Sequence, residues 1–165
     1  MMDLPKRKNL RLENFNYSQG GAYFITVCSK ERECMFSRIV GGGILDAPKV
    51  ELTEAGKIVA ETLENYSELH PNVEISDCVI MPNHIHLIVF LSDICGPSGM
   101  PAPTDAAIPK LVSSVKRFSN KRYGQNMFQR GYYDHIIRDE NDYLIRAKYI
   151  SDNPAKWLED EYFHE

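Results

Sequence analysis

The stretch Val73–Ser92, VEISDCVIMPNHIHLIVFLS, decides how this chain folds. It is rich in aliphatic and β-branched side chains and is interrupted at Pro82-Asn83. Proline has no amide proton to give a sheet ladder, so the run reads as two strands or one long bent strand, broken near that point. Beyond the break stands His84-Ile85-His86-Leu87-Ile88-Val89. Side chains alternate along a strand, so His84 and His86 share one face while Ile85 and Leu87 point the other way. The two imidazoles stand roughly 7 Å apart along the strand and can converge on a metal ion. A nearly continuous apolar flank predicts that this strand is internal to its sheet. By itself the two-histidine motif also fits an edge strand with two solvated rings, and both readings stay open on the motif alone.

Working outward, Gly20-Gly21 precedes Ala22–Ser29 (AYFITVCS), a β-branched and aromatic run that reads as a buried strand. The triple glycine Gly41–Gly43 marks a hairpin or loop; it lacks the strand-to-helix setting and terminal lysine of a phosphate-binding loop. Thr53 can cap a helix over Glu54–His70, with Ile58, Val59, Leu63 and Leu69 at helical spacing. Gly96–Pro103 (GPSGMPAP) reads as a flexible loop. A second helix is expected from about Ala106 to Arg122, with Ile108, Leu111, Val112, Val115 and Phe118 as its apolar stripe. Phe128–Asp139 reads as a strand, and Asp139 or Asn141 can cap a last helix that Pro154 stops. This order of strands and two core helices predicts an α+β domain, an antiparallel sheet covered on one face. The whole of residues 1–165 is expected to be one domain, with its core over about 18–157.

Composition excludes several classes. With 43% hydrophobic and 25% charged residues, the chain matches an ordinary globular protein. No apolar run reaches membrane-spanning length, and the basic N-terminus MMDLPKRKNLRLENF lacks the apolar stretch of a secretory signal. A cytoplasmic location is expected. The four cysteines (Cys28, Cys34, Cys78, Cys95) show no metal-binding spacing and read as reduced and structural. The net charge of −4 argues against a simple polyanion coat, but charge is unevenly spread. Lys110–Lys148 holds nine basic and four acidic residues, which points to one anion-attracting face. Lys116, Arg117, Lys121 and Arg122 would line a groove for a nucleic-acid backbone, flanked by Arg130 and Arg138.

The segment Tyr149-Ile150-Ser151-Asp152-Asn153-Pro154 is the other chemical candidate. Tyr149 and Asn153, four apart on a helix, share a face. Alone, these residues read as a packed tyrosine and a helix-ending asparagine. Taken in order, GAYFITVCSKER from Gly21, PNHIHLIV, GYYDHIIRDENDY and YISDNP resemble the REP-associated tyrosine transposases, of the single-tyrosine HUH superfamily of small insertion-sequence transposases. The resemblance runs to about Trp157.

That resemblance implies a ferredoxin-like or RRM-like antiparallel sheet with helices on one face. It makes His84 and His86 the paired metal ligands and Asn153 the third, where the related insertion-sequence enzymes carry glutamine. It makes Tyr149 the nucleophile; Asp134 and His135 match a family Asp-His pair of underived role. Two imidazoles and an amide oxygen suit Mg²⁺ or Mn²⁺, and Zn²⁺ is compatible on ligand type. The implied reaction is cleavage and rejoining of single-stranded or hairpin DNA, such as REP-type palindromes, through a 5′-phosphotyrosine. Relatives include dimers and monomers, so both states stand open. Two other readings remain. One is a non-catalytic nucleic-acid-binding regulator on the same fold. The other is a zinc hydrolase using His84 and His86 with Asp134 or His135.

Overall fold

A computed structural model describes residues 21–43, 46–92 and 107–163. The N-terminal basic stretch, Cys95 and the Gly96–Pro103 loop lie outside the described residues. Six strands and three helices follow in the order β1 (Gly21–Cys28), β2 (Ser37–Val40), β3 (Lys49–Leu52), α1 (Glu54–Leu69), β4 (Val73–Ile80), β5 (His84–Leu91), α2 (Ala107–Tyr123), β6 (Tyr133–Ile137) and α3 (Glu140–Asp152). Four strands make one antiparallel sheet in the order β4-β5-β1-β6, while β2 and β3 pair separately as a small ribbon. With the ribbon set aside, this is the ferredoxin-like arrangement, and the class is α+β.

The long apolar run does split at its proline: a tight turn closed by the Met81 N–H donating to the His84 carbonyl (2.8 Å) joins β4 to β5. β5 is internal, hydrogen-bonded to β1 on one side and β4 on the other, and only Phe90 along it is exposed. Its alternation divides the molecule. Ile85, Leu87 and Val89 join Tyr23, Ile25 and Val27 beneath α1 and α2 in the larger core. Phe24, Ile88, Ile137 and Ile150 form a smaller one under α3 on the opposite face. The two core helices thus cover one face as expected, and α3 adds a partial cover to the other.

Helix α1 begins where expected: Thr53 is extended and its side chain accepts from the Gly56 N–H (3.2 Å). α3 is capped by Asp139, which accepts from the Asp142 N–H (2.8 Å). Three sequence expectations shift. Leu69 and Phe118, assigned to apolar stripes, are 77% and 47% exposed, because each lies at the edge of the α1–α2 contact rather than in it. β6 starts only at Tyr133, since Gly131 has a positive φ of 83° that breaks an extended run. Cys78, read from the sequence as structural, is exposed on β4, where a bulge between Ile75 and Asp77 shifts the register. Cys28, Cys34 and Cys78 are free.

Gly56 is where α1 meets the rest of the chain most closely. A Cβ there would stand 2.0 Å from the carbonyl oxygen of Phe36, which already accepts from the Thr53 N–H and hydroxyl. The obstacle is backbone, so it cannot swing aside. Gly56→Ala should therefore destabilise by about 3 kcal/mol in urea unfolding, the overpacking range. Gly43→Ala, with open space around its Cβ, should stay within about 0.5 kcal/mol.

Candidate metal and tyrosine site

The start of β5 lies beside the end of β1, and there the register sets His84 opposite Cys28 and His86 opposite Thr26. Both imidazoles project to the α3 face, their ring centroids 4.5 Å apart, and both are essentially fully buried. A buried imidazole needs partners for its nitrogens. Asn83 gives the first through an arrangement that leaves little freedom. Its amide nitrogen donates to the carbonyls of Arg32 (3.2 Å) and Tyr162 (2.6 Å), so its oxygen is turned toward His84 Nδ1 (2.9 Å). An amide oxygen only accepts, so His84 Nδ1 carries the proton and Nε2 is left as a bare lone pair. Thr26 Oγ1 contacts His86 Nδ1 at 2.8 Å and fixes the orientation of that ring; a hydroxyl both donates and accepts, so this contact leaves the tautomer open.

Helix α3 supplies the facing side. It starts beside Ile137 and runs back over the sheet, carrying Tyr149 and Asn153 to the histidine end. Asn153 is 2% exposed, and its amide nitrogen donates to Asp160 Oδ2 at 2.9 Å, which turns its oxygen the other way. His84 Nε2, His86 Nε2 and Asn153 Oδ1 are all buried without a hydrogen bond. The same Asp160 oxygen lies 4.0 Å from His84 Nε2, and the ligand atoms of His84, His86 and Asp160 fall within 4.8 Å of one another. Neutral nitrogen and oxygen donors aimed into one small space, with no protein partner, fit a divalent cation.

The electrostatics agree with neutral ligands. Burial, partly offset by Asp160 and by the adjacent Asn153 amide, lowers the His84 pKa to about 4. Burial and the His84 ring hold His86 well below its ordinary value. Tyr149 stands beside them, 37% exposed, its ring 5.2 Å from that of His86 and edge-on at 6.0 Å to Phe24. Burial and the carboxylates of Asp160 and Glu161 raise its pKa, against the smaller effects of Asn153 and Arg146. The phenol opens on a cavity of about 430 Å³ lined among others by Thr26, Tyr133, Arg146 and Tyr162.

The structure therefore brings His84, His86, Tyr149 and Asn153 together. It separates them from the basic helix α2, which lies across the sheet. There Lys116, half-buried, donates to the carbonyls of Gln129 (3.0 Å) and Gly131, and its pKa falls to about 8 through burial. Arg122 pairs with Glu61 at 2.6 Å, and Arg117 lies over Phe118. Lys121, Arg130 and Arg138 are exposed. Asp134 pairs with Ile25 in the β1–β6 register and so faces α1 and α2, away from the histidines. His135 faces the site side, with its Nε2 on Asp142 Oδ2 (2.7 Å). Neither joins His84 and His86, and the zinc-hydrolase arrangement does not assemble among the described residues.

Sequence reasoning missed Asn83, Thr26 and Asp160. Asn83 adjoins the motif and Thr26 sits in a recognised strand, so pairing β1 with β5 would have found them. Asp160 follows the last recognised segment and has no signal of spacing.

No protein-family model matches the chain. A curated protein of Haemophilus influenzae (strain ATCC 51907 / DSM 11121 / KW20 / Rd), described as uncharacterised, is 35% identical, covering 95% of this chain and 93% of its own. A provisionally assigned REP-associated tyrosine transposase of the same strain is 23% identical over 86% of this chain and 74% of its own. Among solved structures, a REP-associated tyrosine transposase bound to a REP hairpin superposes with a TM-score of 0.64 at 22% identity, covering 89% of this chain and 74% of that one.

Two measurements follow from the geometry. Mn²⁺ should raise the melting temperature, by the equivalent of about 2.7 kcal/mol at a hundredfold excess over Kd. Asn153→Ala and His86→Ala should each abolish that rise; an undiminished rise in both would remove the cation from this site. Without metal, acid should weaken the fold. His84 binds its proton near pH 6.5 when unfolded but only near pH 4 when folded, so stability is complete above about pH 7 and is lost as pH falls from about 6.5 to about 4. Urea midpoints at pH 7, 5.5 and 4.5 test this, and equal midpoints would mean that the rings are not buried neutral.

Proposed function

We propose that the chain belongs with the REP-associated tyrosine transposases and is a metal-dependent, single-tyrosine DNA nuclease and strand transferase acting on single-stranded or hairpin DNA, with REP-type palindromes as its first candidate substrate. One observation carries this reading: two imidazole nitrogens and an amide oxygen, all buried without hydrogen bonds, flank a phenol that opens on a cavity. A purely structural histidine pair would have its ring nitrogens satisfied.

His84, His86 and Asn153 would hold the cation, with Asp160 as a further oxygen ligand; Mg²⁺ or Mn²⁺ fits a set this rich in neutral oxygen and nitrogen, and Zn²⁺ shares the ligand types. Bound there, a divalent ion supplies charge neutralisation at a phosphate oxygen. The rest falls to the chain. Asn83 and Thr26 keep both rings in the orientation that leaves Nε2 available. Asn153 couples the ligand set to the nucleophile through a single helical turn, so the two move together. Tyr149 loses its phenolic proton to solvent and its oxygen bonds to phosphorus. The P–O3′ bond then breaks, and the departing oxygen takes a proton to become a free 3′-OH. The resulting phosphotyrosine ester keeps the bond energy, so attack by another 3′-OH reverses the step without ATP.

In the protein alone the Tyr149 phenolate is disfavoured by burial and then by Asp160 and Glu161, so positive charge in the cavity is required for attack at neutral pH. The exposed cations Arg117, Lys121, Arg130 and Arg138 are read as contacts to the DNA backbone. Lys116 and Arg122, already engaged by carbonyls and Glu61, would contribute less.

Incubating labelled hairpin oligonucleotides with the protein and Mn²⁺ should give a covalent adduct that maps to Tyr149. Tyr149→Phe removes only the attacking oxygen and should abolish the adduct, with hairpin affinity within about threefold of wild type. Adduct at Tyr132, Tyr133 or Tyr143 would overturn the nucleophile. Tight hairpin binding with no adduct in any metal would favour the regulator on the same fold.

A further inference from the structure

The cavity beside Tyr149 has one permanently cationic side chain among its described lining residues, and the mechanism above leaves it without a role. Arg146 stands one turn before Tyr149 on α3. Its Nε donates to Asp142 Oδ1 at 3.4 Å, and the other oxygen of that carboxylate accepts from His135 Nε2 at 2.7 Å. Its guanidinium carbon sits 5.3 Å from the centroid of the Phe24 ring, which stacks at 5.1 Å on His86. The terminal amino groups have no hydrogen-bond partner among the described residues.

An ordinary i, i+4 ion pair on a helix contributes only a few tenths of a kcal/mol and needs neither a third residue nor a ring. Here a histidine from β6 holds the carboxylate, the carboxylate holds Nε, and an aromatic face flanks the guanidinium plane. What remains unused is a pair of parallel N–H donors, the geometry that matches two oxygens of a phosphate. Arg146 lines the same cavity as Tyr149. The nearby carboxylates of Asp160 and Glu161 would repel an incoming phosphodiester, so a fixed positive group on the open side has electrostatic work to do.

We propose that Arg146 is a catalytic residue that grips the two non-bridging oxygens of the phosphate attacked by Tyr149, and that Asp142 and His135 are positioning residues that hold its guanidinium for that contact. The inference rests on the nuclease reading and deepens it. It also gives His135, matched in the sequence only by resemblance, a physical task. Asp134, on the other face of β6, has no share in it.

Two readouts on the full-length protein separate this proposal from that reading. The first needs no chemistry: dimethyl phosphate, a phosphodiester mimic, is titrated against the Mg²⁺-loaded protein by NMR. Arg146→Ala should weaken its binding at least tenfold, while the Mn²⁺-induced melting shift stays as in wild type. The second is single-turnover hairpin cleavage with Mn²⁺. Arg146→Ala should slow it by roughly 10²- to 10³-fold, as loss of one fixed transition-state donor does, with hairpin affinity changed less than threefold. Free guanidinium should recover part of the Arg146→Ala rate. Asp142→Ala should lose about tenfold in rate, Asp142→Glu should recover much of it, and added guanidinium should recover none. Arg146→Ala with wild-type phosphate affinity, or with a wild-type cleavage rate, overturns the proposal. A wild-type protein that binds dimethyl phosphate through Arg146 but never forms an adduct would instead overturn the nuclease reading and leave the anion site standing.

Discussion

Everything at the site depends on burying two imidazoles in the middle of a sheet. At the start of β5 the α3 face is covered by α3 and by the returning chain, with Trp157 and Tyr162 against His84 and Tyr149 against His86, so both rings are buried. Leaving a buried acceptor unpaired costs on the order of 1–3 kcal/mol, and three such atoms meet here. The surrounding residues prevent any cheap escape. Asn83, pinned by two backbone carbonyls, holds one ring, and Thr26 holds the other. Asp160 pins Asn153 in turn. A set of donors held this way loses little freedom on binding a cation, so desolvation already incurred in folding becomes affinity.

The two faces of the sheet divide the labour. α1 and α2 cover the larger core, where Val59, Leu63, Ile108, Leu111 and Val115 lock against Tyr23, Ile25 and Leu87. That face supplies most of the apolar burial. α3 buries a single residue of its own, Ile150, and leaves Leu144 and Ile145 more than half exposed. Its placement relies instead on specific polar contacts: Tyr143 to Asp77 (3.2 Å), His135 to Asp142, and Asn153 to Asp160. An element held by few apolar contacts opens at lower free energy than the core. The helix that carries Tyr149 is therefore the one least anchored by hydrophobic packing.

Charge is arranged with equal economy. The chain is acidic overall, and the site itself has Asp160 and Glu161 beside the phenol. Under the proposed function, positive charge beside Tyr149 would come from Arg146 and from a cation held by the buried donors. The basic residues of α2 stand on the far side of the sheet, two of them spoken for by carbonyls and a carboxylate. A local excess of lysine and arginine along the chain thus becomes several separate surfaces once folded.

Period-two alternation after Pro82 was sufficient, from residues alone, to place His84 and His86 on one face of a strand and Ile85 and Leu87 on the other, and the apolar flank pointed to an internal strand. Thr53 and Asp139 marked helix starts because capping is a local interaction, decided within three or four residues. Tyr149 and Asn153 shared a face for the same reason, though only the resemblance tied them to the histidines. What local rules do not reach is which partners meet across the sheet. That Asn83 is turned by the carbonyl of Tyr162, 79 residues away, and that Asp160 closes on His84 and Asn153, depends on where the chain's end returns. The side of the sheet taken by α3, the exposure of Phe118 and Leu69, and the engagement of Lys116 and Arg122 were decided the same way. Periodicity gives each element a face, but only packing in three dimensions decides what that face meets.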